Sequence, residues 1–116
     1  VDLHVHVNGR SVVAVREDQI LGVGQWGPGE AGPVIYKLYV HPACRGDGIG
    51  PRLIDGLIAQ LPDGVPRLGV EHVAGNTRAG QFCEREGFTV ERVDPGPTPE
   101  TAVVWRVREP VVPAAR

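Results

Sequence analysis

Arg45-Gly46-Asp47-Gly48-Ile49-Gly50 places glycine at three alternate positions immediately before an apolar, helix-spaced segment. Glycine has no Cβ, so the backbone N–H groups of such a run stay uncovered. The first N–H groups of a helix lack internal partners, and the helix dipole favours negative charge there. The pattern therefore suits a pyrophosphate, with Arg45 either adding charge or bracing the loop. Two other phosphate loops do not fit. No Gly-x-x-x-x-Gly-Lys-Ser/Thr run occurs. Gly46-x-Gly48-x-x-Pro51 lacks the third glycine of a dinucleotide fingerprint, and the next strand ends at Val73 without an acidic residue. Taken alone, the run also fits a strand-to-helix turn that holds no ligand.

The elements around this loop follow from periodicity. Leu3, Val5 and Val7 alternate with His4 and His6, the period of a strand. Asn8-Gly9 predicts a hairpin turn, residues 11–16 the return strand, Glu17-Asp18 a second turn and residues 19–26 a third strand. Residues 27–33 read as a Gly/Pro loop. Residues 34–40 are β-branched, aliphatic or aromatic almost throughout, which predicts a central strand buried on both faces. Ile49, Leu53, Ile54, Leu57, Ile58 and Leu61 then fall at helical spacing, with Pro51 in the first turn and Pro62-Asp63-Gly64 as the stop. A strand over 67–73, a helix over 77–86 capped by Asn76 and ended by Gly87, and strands over 88–93 and 101–108 complete the series, with a Pro-rich loop at 94–100. The order β-β-β-β-α-β-α-β-β makes the strands at 34–40 and 67–73 parallel through a right-handed crossover. This predicts an α/β fold with a mixed, mostly antiparallel sheet, one central parallel pair and two main flanking helices. Residues 1–108 form the expected domain and 109–116 a frayed tail.

Composition narrows the function classes. The chain has 116 residues, a length suited to one compact domain, and no apolar run approaches the roughly 20 residues of a membrane span. The net charge of −2, without a Lys/Arg run, argues against nucleic acid as a main partner. The N-terminus alternates instead of forming the apolar block of a secretion signal. The absence of Met implies initiator removal or derivation from something longer. Cys44 and Cys83 are too few for a disulfide scaffold, so a reduced, cytoplasmic protein is expected, without a bridge between them. His4 and His6 share one strand face but lack a third ligand, so no metal is expected.

Two motifs at the right separation carry a resemblance. Arg45, Gly48 and Gly50 match the Arg/Gln-x-x-Gly-x-Gly/Ala signature of the GNAT N-acetyltransferase superfamily, and Leu38-Tyr39-Val40-His41-Pro42 matches the strand end that precedes it. Asn76, Ala79, Phe82-Cys83-Glu84 and Gly87-Phe88 match the family's second motif, and the resemblance covers residues 12–107. It implies that Arg45, Gly46, Asp47, Gly48, Ile49, Gly50 and Pro51 hold the pyrophosphate of acetyl-CoA. It also implies that Leu38, Tyr39 and Val40 bond the pantetheine arm like an added strand, and that Asn76 contacts the same arm. An amine acceptor, a small molecule or a protein amine, would attack the thioester directly, with a backbone N–H near Tyr39 or Val40 stabilising the oxyanion.

The chain departs from the family twice. The usual acid, the Tyr of Phe-Tyr-Glu, is Cys83, which is either a proton donor to the departing thiolate or a small residue on the buried helix face. The helices usual between the first two strands are replaced by Asn8-Gly9-Arg10. Glu71 lies where some members carry a carboxylate base, with Val34 where others have a Glu; it is otherwise a solvated strand residue. His72 should face the opposite way from Glu71. His41 is either a base flanking the loop or a surface residue. Trp26 and Trp105 read as core or interface residues, and a homodimer is left open. The resemblance implies an acetyl-CoA-dependent N-acetyltransferase, a short member or a fragment. The alternatives are a non-catalytic acyl-CoA-binding module or partial domain of a larger protein, and a scaffold that keeps only the fold.

Overall fold

The computed structural model describes residues 2–111, which divide into two compact units, one formed by the residues up to Val65 together with Val111 and the other by Pro66–Pro110. In the first unit four strands run as an antiparallel meander: β1 (His4–Asn8), β2 (Ser11–Arg16), β3 (Gln19–Gly29) and β4 (Gly32–Val40). Helix α1 (Ile49–Ile58) packs on one face of this sheet. Its Ile49, Leu53, Ile54 and Leu57 are at most 1% exposed, the face anticipated from their spacing. Close approach is possible because β3 offers glycine beneath the helix. A Cβ on Gly22 would stand 2.9 Å from Leu53 Cδ1, and one on Gly24 3.1 Å from Leu57 Cδ1.

The turns differ in detail from the reading of the sequence. Asn8 pairs with Ser11, so the first hairpin turns on Gly9-Arg10, with only Gly9 at positive φ, the Gly-first turn of a two-residue hairpin. The Glu17-Asp18 turn stands as expected, both residues at positive φ. The loop predicted at 27–33 shrinks to Glu30-Ala31, because Gly29 pairs with Gly32 and Pro28 with Pro33. In an antiparallel ladder the pair next to the hydrogen-bonded turn pair exchanges no N–H bonds, so two prolines fit opposite each other. Helix α1 stops at Ile58; the N–H groups of Gln60 and Leu61 bond back to Leu57 and Ile58 carbonyls and tighten the last turn.

Burial of β4 on both faces does not hold. Ile35 is buried, but Tyr36 and Tyr39 are 59% and 49% exposed, and Lys37 is exposed. The apolar composition of the segment signals strand but does not say that α1 covers only one face of its unit. A register shift also leaves Tyr36 as an extra residue, since Gln25 pairs with Lys37 but Trp26 with Ile35.

The second unit holds β5 (Leu68–Val73), α2 (Thr77–Arg85), β6 (Thr89–Asp94) and β7 (Val103–Arg108), with β7 antiparallel to both β5 and β6. Asp94 pairs with Val103 and joins β6, so the predicted 94–100 loop begins one residue later. Pro99–Thr101 forms a single 3-10 turn, and the last strand starts at Val103. Phe88, 1% exposed, anchors the chain after Gly87, whose φ of 87° ends α2. Of the predicted tail, Glu109 to Val111 lack regular structure and residues 112–116 lie outside the described residues. The fold is thus mixed α/β, mostly antiparallel, with two main helices. No helix among the described residues is long and apolar enough to cross a membrane.

Candidate functional site

In the first unit the sequence-predicted residues form one continuous path from β4 to α1. Leu38, Tyr39 and Val40 are the last residues of β4, paired in register with Gly24, Val23 and Gly22. Upstream, the extra residue Tyr36 lays its ring over Gly27 and donates its hydroxyl to the Pro28 carbonyl, which fixes the irregularity in place. His41 follows, its N–H bonded to the Leu21 carbonyl at 2.7 Å, and its Nδ1 accepts the Ala43 N–H at 3.1 Å. His41 therefore caps the 3-10 turn Pro42–Cys44, a structural job for a residue also considered as a base.

The glycine loop comes next. Gly46 and Gly48 have φ of 93° and 77°, and a Cβ at either would meet nothing within 4 Å. Glycine is thus required by conformation, with open space above the backbone. The N–H of Arg45 and that of Asp47 are turned inward to the Pro42 and Cys44 carbonyls at 3.4 and 3.2 Å. Gly48 is the N-cap of α1, with no side-chain cap and no acidic residue in the first turn. Pro51 has no N–H to offer, so the donors left for an anion at this terminus are those of Gly48, Ile49 and Gly50. Arg45 and Asp47 are exposed, and Arg52 anchors the first helical turn by donating to the Leu3 carbonyl at 3.2 Å.

In the second unit Asn76 caps α2, its Oδ1 accepting the Ala79 N–H at 3.1 Å. Cys83 lies two turns along that helix and is 5% exposed. Burial pushes its thiol up, and the positive charge of Arg106 draws it partly back. Both Cys83 and Cys44 are free thiols. Beneath α2, Arg106 Nε donates to His72 Nε2 at 2.9 Å, and a Cβ on Gly80 would stand 3.2 Å from His72 Cε1. His72 thus faces α2. Its neighbour Glu71, exposed and paired in register with Trp105, points to the other face, as strand alternation requires. The two residues singled out for catalysis, Glu71 and Cys83, therefore lie on opposite faces of this unit's sheet.

Sequence reasoning missed Arg106 and Arg108. Besides His72, Arg106 bonds the Phe88 carbonyl at 3.1 Å, and Arg108 bonds the Glu86 carbonyl at 2.9 Å, so both hold the C-terminal end of α2. The only signal was alternation, which sets both arginines on the same face of β7 as Val104. Trp105, read as core or interface, is half-buried and donates Nε1 to Asp94 Oδ2 at 2.8 Å.

The family model for the acetyltransferase (GNAT) domain matches residues 7–90, a span that includes the glycine loop, Glu71, Asn76 and Cys83. Among solved structures, a protein of the GNAT family from Desulfovibrio desulfuricans aligns at 22% identity and a TM-score of 0.76, covering 87% of this chain and 68% of its own. A GNAT family acetyltransferase from Elizabethkingia anophelis, solved with acetyl-CoA bound, aligns at 14% identity and a TM-score of 0.73, covering 93% of this chain and 97% of its own. The ribosomal-protein-alanine N-acetyltransferase of Brucella melitensis aligns at 24% identity and a TM-score of 0.68, covering 85% of this chain and 67% of its own. These likenesses establish a shared fold. No curated protein matches the chain.

Proposed function

The chain belongs to the GNAT acetyltransferase family, and from that premise we propose that it moves an acetyl group from acetyl-CoA to an amine by direct attack. The observation that supports this best is the terminus of α1: Gly46 and Gly48 at positive φ, open space above them, and no side-chain cap. In this reading Gly48, Ile49 and Gly50 donate to the pyrophosphate, Arg45 supplies charge, and Gly46, Asp47 and Pro51 shape the turn. Leu38, Tyr39 and Val40 bond the pantetheine arm, with a backbone N–H near Tyr39 or Val40 for the oxyanion. Asn76 contacts the same arm through the amide nitrogen that its capping bond leaves over. Glu71 takes the proton of the attacking ammonium. Cys83, kept protonated by burial, is the candidate proton source for the thiolate. Residues 1–108 act as one acyl-CoA-binding domain. The free thiols fit a reducing, cytoplasmic setting. The Elizabethkingia protein, solved with acetyl-CoA bound and nearly covered by this chain, supports the choice of cosubstrate.

A second reading, an acyl-CoA-binding module without turnover, is favoured by one observation: the residue at the usual acid position is buried on the face away from Glu71. Calorimetry with CoA and acetyl-CoA, followed by thiol release in the presence of an amine panel, separates the two. Binding with transfer supports the enzyme, binding without transfer the module, and no heat with either ligand overturns both.

A further inference from the structure

The face of the second unit that carries Glu71 also carries a fixed aromatic wall. His72 and Arg106 bond each other beneath α2, so Glu71 and Trp105, one residue earlier on β5 and β7, share the opposite face. They are direct cross-strand partners, which brings their Cβ atoms to about 4.5–5.5 Å. Trp105 is locked from its other side. Its Nε1 donates to Asp94 Oδ2 at 2.8 Å, the Arg92 guanidinium lies 4.5 Å from its ring centroid, and Arg92 Nε closes on Asp94 Oδ1 at 3.3 Å. Val73, next to Glu71 on the same face, is 47% exposed.

We propose that Trp105 is a specificity-determining residue, the wall against which the acceptor lies, and that the acceptor is a primary ammonium at the end of an aliphatic chain without a neighbouring carboxylate. This rests on the reading of Glu71 as the base. Asp94 is engaged by Arg92 and by the indole N–H, so its charge is largely answered on this face. Glu71 has no ion-pair partner among the described residues, which leaves its charge for an incoming ammonium. A methylene chain on that ammonium would lie along the indole and Val73, gaining apolar contact and cation–π attraction together. An α-amino acid would instead bring its own carboxylate towards the unpaired Glu71 and be repelled. The indole cannot swing away to admit a different shape, because the Asp94 bond and the stacked Arg92 hold it.

The chain has two tryptophans, so Trp26→Phe leaves Trp105 as the single indole. Titration of that variant with 1,5-diaminopentane should change its emission saturably, glycine at matched ionic strength should not, and Glu71→Gln should abolish the response. In turnover assays Trp105→Leu should raise KM for the diamine about tenfold while leaving KM for acetyl-CoA unchanged. A silent titration, or an equal response to glycine, overturns the proposal even if Trp105→Leu fails to fold. An emission response with no acetyl transfer to any amine retains the surface and sinks the acetyltransferase reading instead.

Discussion

Cys83 stands where the motif resemblance would put the family's acid, yet its surroundings are those of a packing residue. It is 5% exposed on the α2 face that meets His72 and Arg106. Raising the thiol by burial keeps it protonated in the fold. An unfolded thiol ionises above about pH 8.5. The folded state therefore binds more protons than the unfolded state in that range, and stability falls as pH rises from there through the raised folded value. The wild-type protein should lose more melting temperature between pH 8 and 10 than Cys83→Ala, which has no thiol to ionise. If Cys83 only packs, the Ala variant keeps its turnover and loses about 1 kcal/mol, and Cys83→Tyr loses about 1–3 kcal/mol through overpacking. If it donates the proton, Ala lowers turnover by about 10²–10⁴-fold and Tyr maintains it. Turnover and melting curves on the same three proteins decide. The motif pattern singled out this residue, and alternation along β7 put Arg106 on one face with Val104, but nothing in the sequence said that it would stand beneath Cys83, because an arginine on a strand reads as solvated.

Asn76 and the glycines of β3 show what an element asks of single positions. Asn76 was legible as a cap because a helix start needs a side-chain acceptor, and its Oδ1 meets the Ala79 N–H as expected. Asn76→Ala should cost about 1 kcal/mol, read by urea denaturation. Asn76→Ser restores the cap but not the amide nitrogen. A Ser variant with full stability and weakened CoA binding would place that nitrogen on the arm, while full stability with unchanged affinity confines Asn76 to capping. Gly22 was not legible. Its need arises only when α1 lies on β3, where a new Cβ would meet Leu53 and Ile49 at 2.9 and 3.0 Å and the Tyr39 carbonyl at 3.1 Å. The carbonyl is backbone and cannot yield like a side-chain tip, so Gly22→Val should lose about 1–3 kcal/mol and disturb the end of β4. The misreading of β4 has the same origin. Period and composition identify a strand, but which of its faces a helix covers is decided elsewhere in the chain.

Across the whole chain, element order and type were readable because Gly and Pro punctuate strongly periodic segments, and boundaries slipped where a turn tightened, as at Glu30-Ala31. The ligand, too, is a property of the whole, since anything that binds only the folded state raises its melting temperature. At a hundredfold excess over Kd the gain is about 2.7 kcal/mol, which for a chain near 100 residues is a rise of about 10 °C or more. CoA and pantetheine share the arm but only CoA has the pyrophosphate. If the N–H groups of Gly48, Ile49 and Gly50 grip that group, CoA should shift the transition well beyond pantetheine at equal concentration. Gly48→Asn tests the origin of the excess. Asn tolerates the left-handed conformation that Gly48 adopts at φ 77°, so the variant should fold, while its side chain enters the space that is open in the wild type. The variant should keep the small pantetheine shift and lose the CoA excess. An unchanged CoA excess would move the pyrophosphate away from the α1 terminus, and equal shifts for CoA and pantetheine in the wild type would remove the loop from binding altogether.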